Sequence, residues 1–392
     1  MSQAYIVAAV RTAGGRRNGR LSGWHPADLS AQVLNELVSR VDVDPARIDD
    51  VIMGCVSQIG EQSNNIARNA IMSSMLPESV PGTSLDRQCG SSQQALHFAA
   101  QAVMSGSQDV VIAAGVESMT RVPMFLPSTL PNEHGYGLYV GPAIEERYPG
   151  IRFSQFSGAE QMAQKYGLSR EDLDGFALRS HQQAARAVEA GAFRNEILPL
   201  LVRATGEGNV DHLHQVDEGI RFDATLDSIS SVKLLHEGGV ITAANASQVC
   251  DGASGVMVVN ERGLKALGVE PLARIHHMSV LGHDPVIMLE APIPATQRAL
   301  EKSGMRIDDI DLYEVNEAFA SVPLAWLKAL GADASRLNVH GGAIALGHPL
   351  GSSGTKLMTT LINALGVHGK RYGLQTMCEG GGMANVTIIE RL

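Results

Sequence analysis

The chain carries an internal repeat, and this repeat constrains its fold more than any other feature of the sequence. An Ile-Asp-Asp segment that precedes an apolar run occurs at residues 48–51 and again at residues 307–310. The same offset brings Cys89 onto His348, and each of them lies just before a turn of small residues. A helix-like segment and a short apolar strand follow each turn, at residues 93–104 and 110–115 in the first copy and at residues 355–365 and 374–377 in the second. The repeat therefore predicts two similar α/β halves that face each other, with their chemistry on a shared face.

A different stretch, residues 120–246, separates the two copies. It contains several prolines and much of the scattered charge, and it predicts one long helix over 169–190. Structureless loops of this length are rare in compact domains, so we interpret the stretch as an inserted domain. The predicted division is a first half over 1–119, a loop or lid domain over 120–249, a return to the first half over 250–270 and a second half over 271–392.

Composition excludes several classes of protein. Hydrophobic residues make up 44% of the 392 residues, which is enough to bury large cores. The net charge of −10 argues against a nucleic-acid partner. The four cysteines form no CxxC pair, which favours a reducing compartment. Because no apolar run is long enough to span a bilayer and no targeting signal is evident, we expect a cytoplasmic protein without a membrane partner.

Four segments carry candidate catalytic residues. Cys89 precedes a predicted helix, whose N-terminus favours a thiolate, although a lone cysteine is more often structural. His348 lies in a glycine-rich loop and is a candidate base or oxyanion donor, the alternative being a capping or core histidine. Cys378 follows a strand and precedes three glycines, beginning with Gly380, whose backbone N–H groups can form an oxyanion hole, the alternative being a plain turn.

The fourth segment is Asn-Glu-Ala-Phe, which begins at Asn316 after an apolar strand. An asparagine at a strand end can orient a water molecule or an oxyanion. Its structural alternative is the N-cap of a helix that continues through Trp326, and this alternative is the stronger one when the segment is considered alone.

Together the four segments resemble the thiolase family, with similarity over the whole chain. The resemblance covers the nucleophile segment around Cys89, the Asn-Glu-Ala-Phe motif, the Gly-His-Pro loop around His348 and the Cys-x-Gly-Gly-Gly motif that begins at Cys378. It implies an α/β fold in which two similar halves form a five-layered arrangement with an inserted loop domain. It also implies a homodimer or homotetramer, and coenzyme A as a substrate with no metal.

The resemblance further implies roles for individual residues. Cys89 would be the acylated nucleophile, His348 its base, Cys378 the acid for the enolate, and Asn316 the holder of a water molecule, with the backbone of Gly380 as an oxyanion donor. The coenzyme A contacts implied by the resemblance are Arg221 near the nucleotide and Ser228, Ala243 and Ser247 along the pantetheine.

The expected activity is CoA-dependent cleavage of a 3-ketoacyl-CoA. Short-chain biosynthetic members carry a His-Met-Gly run, which we match to residues 156–158, so that Ser157 replaces methionine and frees volume near the acyl group. This favours a longer or bulkier substrate, as in bacterial members that degrade steroid side chains, over the alternative of an acetyl-CoA acetyltransferase that forms acetoacetyl-CoA.

Other classes are disfavoured by particular residues. A non-catalytic acyl-CoA or lipid binder would lack one of the four segments, and a ketoacyl synthase would have two histidines where Cys378 provides a thiol. A metal-dependent hydrolase needs a third ligand beside its histidine pairs. We interpret the two pairs that this chain offers, at 212/214 and 276/277, as solvated surface histidines. No Gly-x-Gly-x-x-Gly motif follows the first strand, so a dinucleotide-binding site of that type is excluded.

Overall fold

The structure is a computed structural model that describes residues 2–203 and 212–392. The helices of this part of the chain are α1 (Pro26–Val41), α2 (Ile66–Met72), α3 (Ser91–Ser105), α4 (Leu126–Glu133), α5 (Pro142–Arg147), α6 (Gln155–Tyr166), α7 (Arg170–Glu189), α8 (Leu226–Ser230), α9 (Glu261–Leu267), α10 (Pro292–Ser303), α11 (Ser321–Leu330), α12 (Ala343–Leu346) and α13 (Ser353–Val367). The strands are β1 (Tyr5–Thr12), β2 (Gly15–Arg16), β3 (Asp50–Gly54), β4 (Gly82–Leu85), β5 (Val110–Ser118), β6 (Ile197–Leu198), β7 (Leu200–Leu201), β8 (Leu213–His214), β9 (Cys250–Val259), β10 (Ala273–Gly282), β11 (Leu312–Val315), β12 (Tyr372–Glu379) and β13 (Met383–Arg391).

The main sheet repeats one strand pattern twice. Its order is β11-β12-β13-β10-β1-β9-β5-β3-β4, and the two copies join where β1 pairs with β10. In each copy a parallel pair (β3 with β5, β11 with β12) is followed by an antiparallel strand (β9 or β13). The repeat in the sequence therefore corresponds to two similar halves, as predicted.

Helices α3 and α13 lie between the two halves of the sheet. From α3, Gln93 donates through Nε2 to Thr387 Oγ1 of the second half at 2.8 Å. In α13, the Thr355 hydroxyl lies 2.7 Å from Ser254 Oγ of the first half. Helices α1 and α2 cover the outer face of the first half, and α10 and α11 cover that of the second. This helix–sheet–helix–sheet–helix order confirms the predicted five-layered fold.

Helix α1 illustrates why the outer helices form. Its buried residues Leu29, Val33, Leu34 and Leu37 recur at helical spacing, so one stripe faces the sheet. Pro26 at the first position and Asp42 in the left-handed region mark its ends. Each buried leucine stabilises this packing by about 1.5–3 kcal/mol.

The inserted region contributes α6 and α7 beside the second half. The predicted helix over 169–190 is confirmed as α7, which begins after the N-cap Ser169 with a capping box to Asp172. Asp174 of α7 accepts a hydrogen bond at 2.9 Å from Nδ2 of Asn245, in the segment that returns to the first half. This contact fixes the position of residues 242–247 relative to the insertion.

Two expectations from the sequence can be compared directly with these elements. Within the described residues, no helix combines the length and the apolar character needed to cross a membrane. The interpretation of His214 as a surface histidine is wrong, because its side chain is buried and its Nε2 lies 2.9 Å from the carbonyl oxygen of Ala13.

Candidate active site

Cys89 lies in the tight turn between β4 and α3. Gln88 adopts a positive φ of 49°, and Asp86 Oδ1 accepts the Gln88 N–H at 2.6 Å. Ser91 closes the turn, because its Oγ accepts from Arg87 N at 2.9 Å and donates to Gln88 O at 2.6 Å. This local network leaves the Cys89 side chain partly exposed at the start of a helix.

The surroundings of Cys89 favour the thiol over the thiolate. Burial and the negative charge of Glu379 raise the pKa of Cys89 to about 12. Desolvation therefore opposes the effect expected from the helix N-terminus, and a thiolate in the free protein stays a prediction. An attack by Cys89 requires a base.

The residue before His348 must be glycine. Gly347 has φ +79°, and a Cβ at this residue would lie 2.5 Å from Cys250 Sγ. His348 Nδ1 lies 2.5 Å from Ser353 Oγ, and the Ser353 hydroxyl donates to Pro349 O at 2.9 Å. Because a hydroxyl carries one hydrogen, Nδ1 must carry the proton of this contact and Nε2 must present its lone pair.

The imidazole of His348 is neutral. Burial and, to a lesser extent, the charge of Lys356 lower the pKa of His348 to about 3. Its Nε2 lies 3.3 Å from Asn316 Nδ2. A neutral imidazole whose Nε2 carries no proton is a proton acceptor, which is the state that a general base requires.

Asn316 follows β11, and its backbone N–H donates to Thr376 O at 3.0 Å. Its Oδ1 has no hydrogen-bond partner among the described residues, so this buried oxygen can orient a small polar molecule. The alternative role as a helix N-cap is wrong, because α11 begins at Ser321 after the N-cap Ala320.

Glu317 connects the asparagine segment to the glycine-rich loop. Its carboxylate accepts from Ser180 Oγ at 2.7 Å, Asn338 Nδ2 at 2.9 Å and Ile344 N at 3.1 Å. These contacts join α7 of the insertion, the segment after β11 and the helix α12 that precedes His348. Glu317 thus holds Asn316 and His348 in one rigid assembly.

Cys378 is buried at the end of β12, before the glycine turn to β13. This turn packs against the Cys89 turn, since a Cβ at Gly380 would lie 2.9 Å from Gln88 Oε1 and a Cβ at Gly90 would lie 2.0 Å from Glu379 Oε1. Burial and the neighbouring Cys89 raise the pKa of Cys378, so it is also a thiol and a possible proton donor. The structure therefore brings the two cysteine turns together.

The helices that follow the Cys89 and His348 loops touch at their first turns. Ser92 Oγ accepts from Thr355 N at 3.0 Å, so the loops that precede α3 and α13 converge. Together with the contacts above, this places all five predicted catalytic positions in one region, which is formed by the facing ends of the two repeats.

The predicted coenzyme A contacts lie in two places. Ser247 N donates to Ala318 O at 2.9 Å, so the segment that contains Ala243 and Ser247 runs along the Asn-Glu-Ala-Phe motif. Arg221 and Ser228 lie on the exposed surface of the insertion, and Ser228 also closes the capping box of α8 with Thr225. The contacts of Ser228 therefore give it a structural role in addition to the predicted one.

The residue matched to the acyl pocket, Ser157, is exposed. It lines a cleft of about 620 Å³ with His236 and Gly239, whereas its neighbour Phe156 stacks edge-on against Phe319 of the Asn-Glu-Ala-Phe motif at 5.7 Å. It is thus Phe156, and not Ser157, that contacts the motif carrying Asn316. The effect of Ser157 on the volume near the acyl group stays a prediction.

Two carboxylates of the site were missed by the sequence analysis. Glu117 accepts from Val56, Ser57 and Gly351 backbone N–H groups at 2.9, 3.0 and 2.9 Å, and so ties the first half to the loop after His348. Glu379 is buried, with neither carboxylate oxygen bonded within the described residues. The available signal was a glutamate within or beside an apolar strand, since buried charge is rare without a reason.

We expect Glu379→Gln to shift deprotonation of Cys89 to lower pH. Burial raises the pKa of Glu379 to about 8, and above that pH its charge opposes the Cys89 thiolate. The measurement is the pH dependence of Cys89 alkylation by iodoacetamide, followed by mass spectrometry. Glu314→Gln is the matched control, because Glu314 is likewise a buried carboxylate of raised pKa but does not act on Cys89.

The same substitution should stabilise the protein at alkaline pH. A carboxyl whose pKa rises on folding makes the folded state bind more protons, so stability falls as pH rises from the unfolded pKa towards about 8. The glutamine variant has no carboxyl group to ionise at this position, so it does not lose this stability. An unchanged alkylation profile together with unchanged thermal stability above pH 8 would contradict the assigned environment of Glu379.

Comparison with known proteins gives a consistent result. The family model for the thiolase N-terminal domain matches residues 4–262, and that for the thiolase C-terminal domain matches residues 269–391. The chain is 51% identical to the steroid 3-ketoacyl-CoA thiolase FadA6 of Mycobacterium tuberculosis, with 100% of this chain and 95% of the relative covered. It is 40% identical to a 3-ketoacyl-CoA thiolase of Bacillus subtilis, with both chains covered completely. An acetyl-CoA acetyltransferase of Bacillus anthracis has a similar solved structure, with a TM-score of 0.90 and 35% identity over 100% of this chain and 99% of the other.

Proposed function

Since the chain belongs to the thiolase family and is an acyltransferase of the 3-ketoacyl-CoA thiolase type, we propose that Cys89, Asn316, His348 and Cys378 are its catalytic residues. The observation that carries this proposal is the convergence of their four loops at the facing ends of the two repeats. CoA thioesters act here as substrates, and the acyl-enzyme forms on Cys89.

The first step is the transfer of the Cys89 proton to His348 Nε2. The hydrogen bonds of Ser353 leave that nitrogen unprotonated, and burial keeps the imidazole neutral. The thiolate then attacks the C3 carbonyl of the 3-ketoacyl-CoA. The new imidazolium Nε2–H and a water molecule held by Asn316 provide hydrogen-bond donors for the developing negative charge.

Cleavage of the C2–C3 bond leaves its electron pair on C2 as the enolate of acetyl-CoA. Cys378 gives its proton to this carbon, because its raised pKa keeps it a thiol until a strong base forms beside it. The acyl group remains on Cys89. After acetyl-CoA has left, the Cys378 thiolate takes the thiol proton of a second CoA, and the CoA thiolate attacks the thioester on Cys89. The backbone N–H groups of Cys89 and Gly380 stabilise the second tetrahedral intermediate. Its collapse releases the shortened acyl-CoA, and the Cys89 thiolate takes its proton back from the His348 imidazolium.

Coenzyme A binds along the insertion in this proposal. Ala243 and Ser247 follow the Asn-Glu-Ala-Phe motif and would line the pantetheine arm, while the exposed guanidinium of Arg221 and the hydroxyl of Ser228 would contact the nucleotide. The domain boundaries in this proposal are those predicted from the sequence, after residues 119, 249 and 270. They are supported by β9, which begins at Cys250 and returns to the first half between β1 and β5.

The preferred acyl group is larger than acetoacetyl in this proposal, and the role is degradative. The relative with 51% identity is named a steroid 3-ketoacyl-CoA thiolase. The structure offers an aromatic surface for such a group, because Tyr148 stacks on Phe153 at 5.3 Å and Phe156 stacks on Phe319 at 5.7 Å. The insertion also exposes several large apolar side chains: Phe125, Leu130, Tyr136, Leu138, Tyr139, Ile144 and Ile151.

The test is CoA-dependent cleavage of a panel of 3-ketoacyl-CoAs, from acetoacetyl-CoA through long-chain to ring-bearing thioesters. We expect the highest kcat/KM for the bulky substrates and a selective loss for them in Phe156→Ala. The matched control is Phe98→Ala, because Phe98 is also a partly exposed phenylalanine but belongs to α3 and not to the insertion. Highest activity on acetoacetyl-CoA would contradict the proposed substrate class and favour the acetyltransferase alternative.

We also propose a homo-oligomer in the cytoplasm. The edge strand β4, which leads directly into the Cys89 turn, has one side without a partner strand in the main sheet, and such edges are ready to pair with another chain. The four free cysteines of the structure suit a reducing compartment. The dependence of molar mass on protein concentration tests the oligomeric state.

A further inference from the structure

A buried lysine lies directly behind the loop that carries His348. Lys356 belongs to the first turns of α13, and its side chain is 6% exposed. Its Nζ donates to the carbonyl oxygens of Leu346 and Gly347, at 3.0 Å for the latter. These are the two peptide groups that immediately precede His348.

The buried carboxylates around Lys356 also pair with a second buried cation. Arg11 binds both oxygens of Asp217, at 2.8 and 3.1 Å, and also donates to Glu196 at 2.6 Å. Asp217 lies 4.0 Å from Lys356 Nζ. Because Arg11 already pairs with Asp217, the lysine is not needed to neutralise that carboxylate. Burying an ammonium is unfavourable unless it is paired and hydrogen-bonded, so its two bonds to the His348 loop need an explanation.

We propose that Lys356 is a positioning residue for His348. Its two hydrogen bonds fix the backbone of Leu346 and Gly347, so that Nδ1 meets Ser353 and Nε2 faces the reacting groups. Its positive charge also disfavours a lasting imidazolium, so that the proton taken from Cys89 is passed on. This inference rests on the proposed role of His348 as the base.

The charges around this lysine come from several elements. Asp217 and Glu196 face it from the insertion, Arg11 from β1 and Cys250 from β9. Burial lowers the pKa of Lys356, while Cys250, Asp217 and Glu196 raise it. Two carboxylates and two carbonyl oxygens thus stabilise the charged form of Lys356, and this charge lowers the pKa of His348.

The sign of the pH effect follows from these charges. Burial and then Lys356 lower the pKa of His348. Without the ammonium, the pKa of His348 rises, and the neutral base is lost at a higher pH than in the native protein. The acid limb of the pH–rate profile should therefore move to higher pH when Lys356 is neutralised.

The experiment compares Lys356→Met and Lys356→Gln with Lys356→Arg. The two neutral variants should lower kcat for thiolysis by roughly 10²-fold with little change in KM, because a small displacement of the base misaligns proton transfer. Their acid limbs should shift upward, and the arginine variant should recover most of the rate. Lys328→Met is the matched control, since Lys328 also donates to a backbone carbonyl, that of Tyr166, but on the surface.

A second arm introduces Lys356→Met into His348→Asn. If Lys356 acts through His348, the double variant should be no slower than His348→Asn alone. Full additivity, or an unshifted acid limb in both neutral variants, would overturn the positioning role. Native-like turnover of His348→Asn by itself would instead overturn the proposed function. Should the methionine variant not fold, the glutamine variant carries both arms, because its amide can still donate to one of the carbonyls.

Discussion

Cys89→Ala is expected to abolish CoA-dependent thiolysis, with a loss of kcat on the order of 10⁴-fold or more. Alanine removes the only atom on which the acyl group can reside, and no alternative thiol takes its place. Cys378 is buried with a raised pKa, and Cys55 and Cys250 are also buried thiols of raised pKa. The fold should be retained, because the turn is held by Asp86 and Ser91 and not by the sulfur.

The measurement combines steady-state thiolysis with mass spectrometry of the protein after exposure to a 3-ketoacyl-CoA. The native chain should carry the acyl group on the peptide that contains Cys89, and initial rates should follow ping-pong kinetics. Cys55→Ala is the matched control and should keep both. An acyl adduct on Cys378 in the Cys89→Ala variant would contradict the assignment of Cys89 as the nucleophile.

The fold could be predicted from the sequence because both copies of the repeat show the same two patterns, short apolar runs and helix-like segments after turns of small residues. Apolar runs such as residues 110–114 become β5, and the segments after the small-residue turns become α3 and α13. Helices α3 and α13 share one hydrophobic core with strands of both halves, and this core pairs them across the molecule. The catalytic loops follow the same symmetry only approximately. Helices α3 and α13 begin 262 residues apart, so Cys89 lies two residues before its helix and His348 five residues before its helix, and the offset that pairs the two residues in the sequence is wrong by three residues.

What could not be predicted depends on contacts between distant residues. The pKa of Cys89 is raised by burial and then by Glu379, which approaches Gly90 only after β12 and α3 have packed. The tautomer of His348 depends on Ser353, and the direction of Ser157 depends on how α6 rests on the second half. A local pattern reports helix and strand, whereas these properties arise from the environment that folding creates.

His348→Asn is expected to reduce thiolysis by about 10²–10⁴-fold, the usual contribution of a general base. Asparagine can keep a hydrogen bond to Ser353 but cannot accept the Cys89 proton. Because the pKa of Cys89 is about 12, the residual rate should follow the thiolate fraction and rise about tenfold for each pH unit below that value. The native rate should instead reach a plateau, since His348 is already neutral in this range.

The decisive measurement is the pH dependence of single-turnover acylation, recorded for the native chain and for His348→Asn. His340→Asn is the matched control, because His340 is also a buried histidine whose pKa is lowered, to about 4, but it faces His368 and not the cysteine turns. It should retain the native plateau. If His348→Asn also retained a plateau, another group would have to remove the proton, and Glu379 would be the first to examine, because its pKa of about 8 and its contact with Gly90 make it the nearest alternative acceptor.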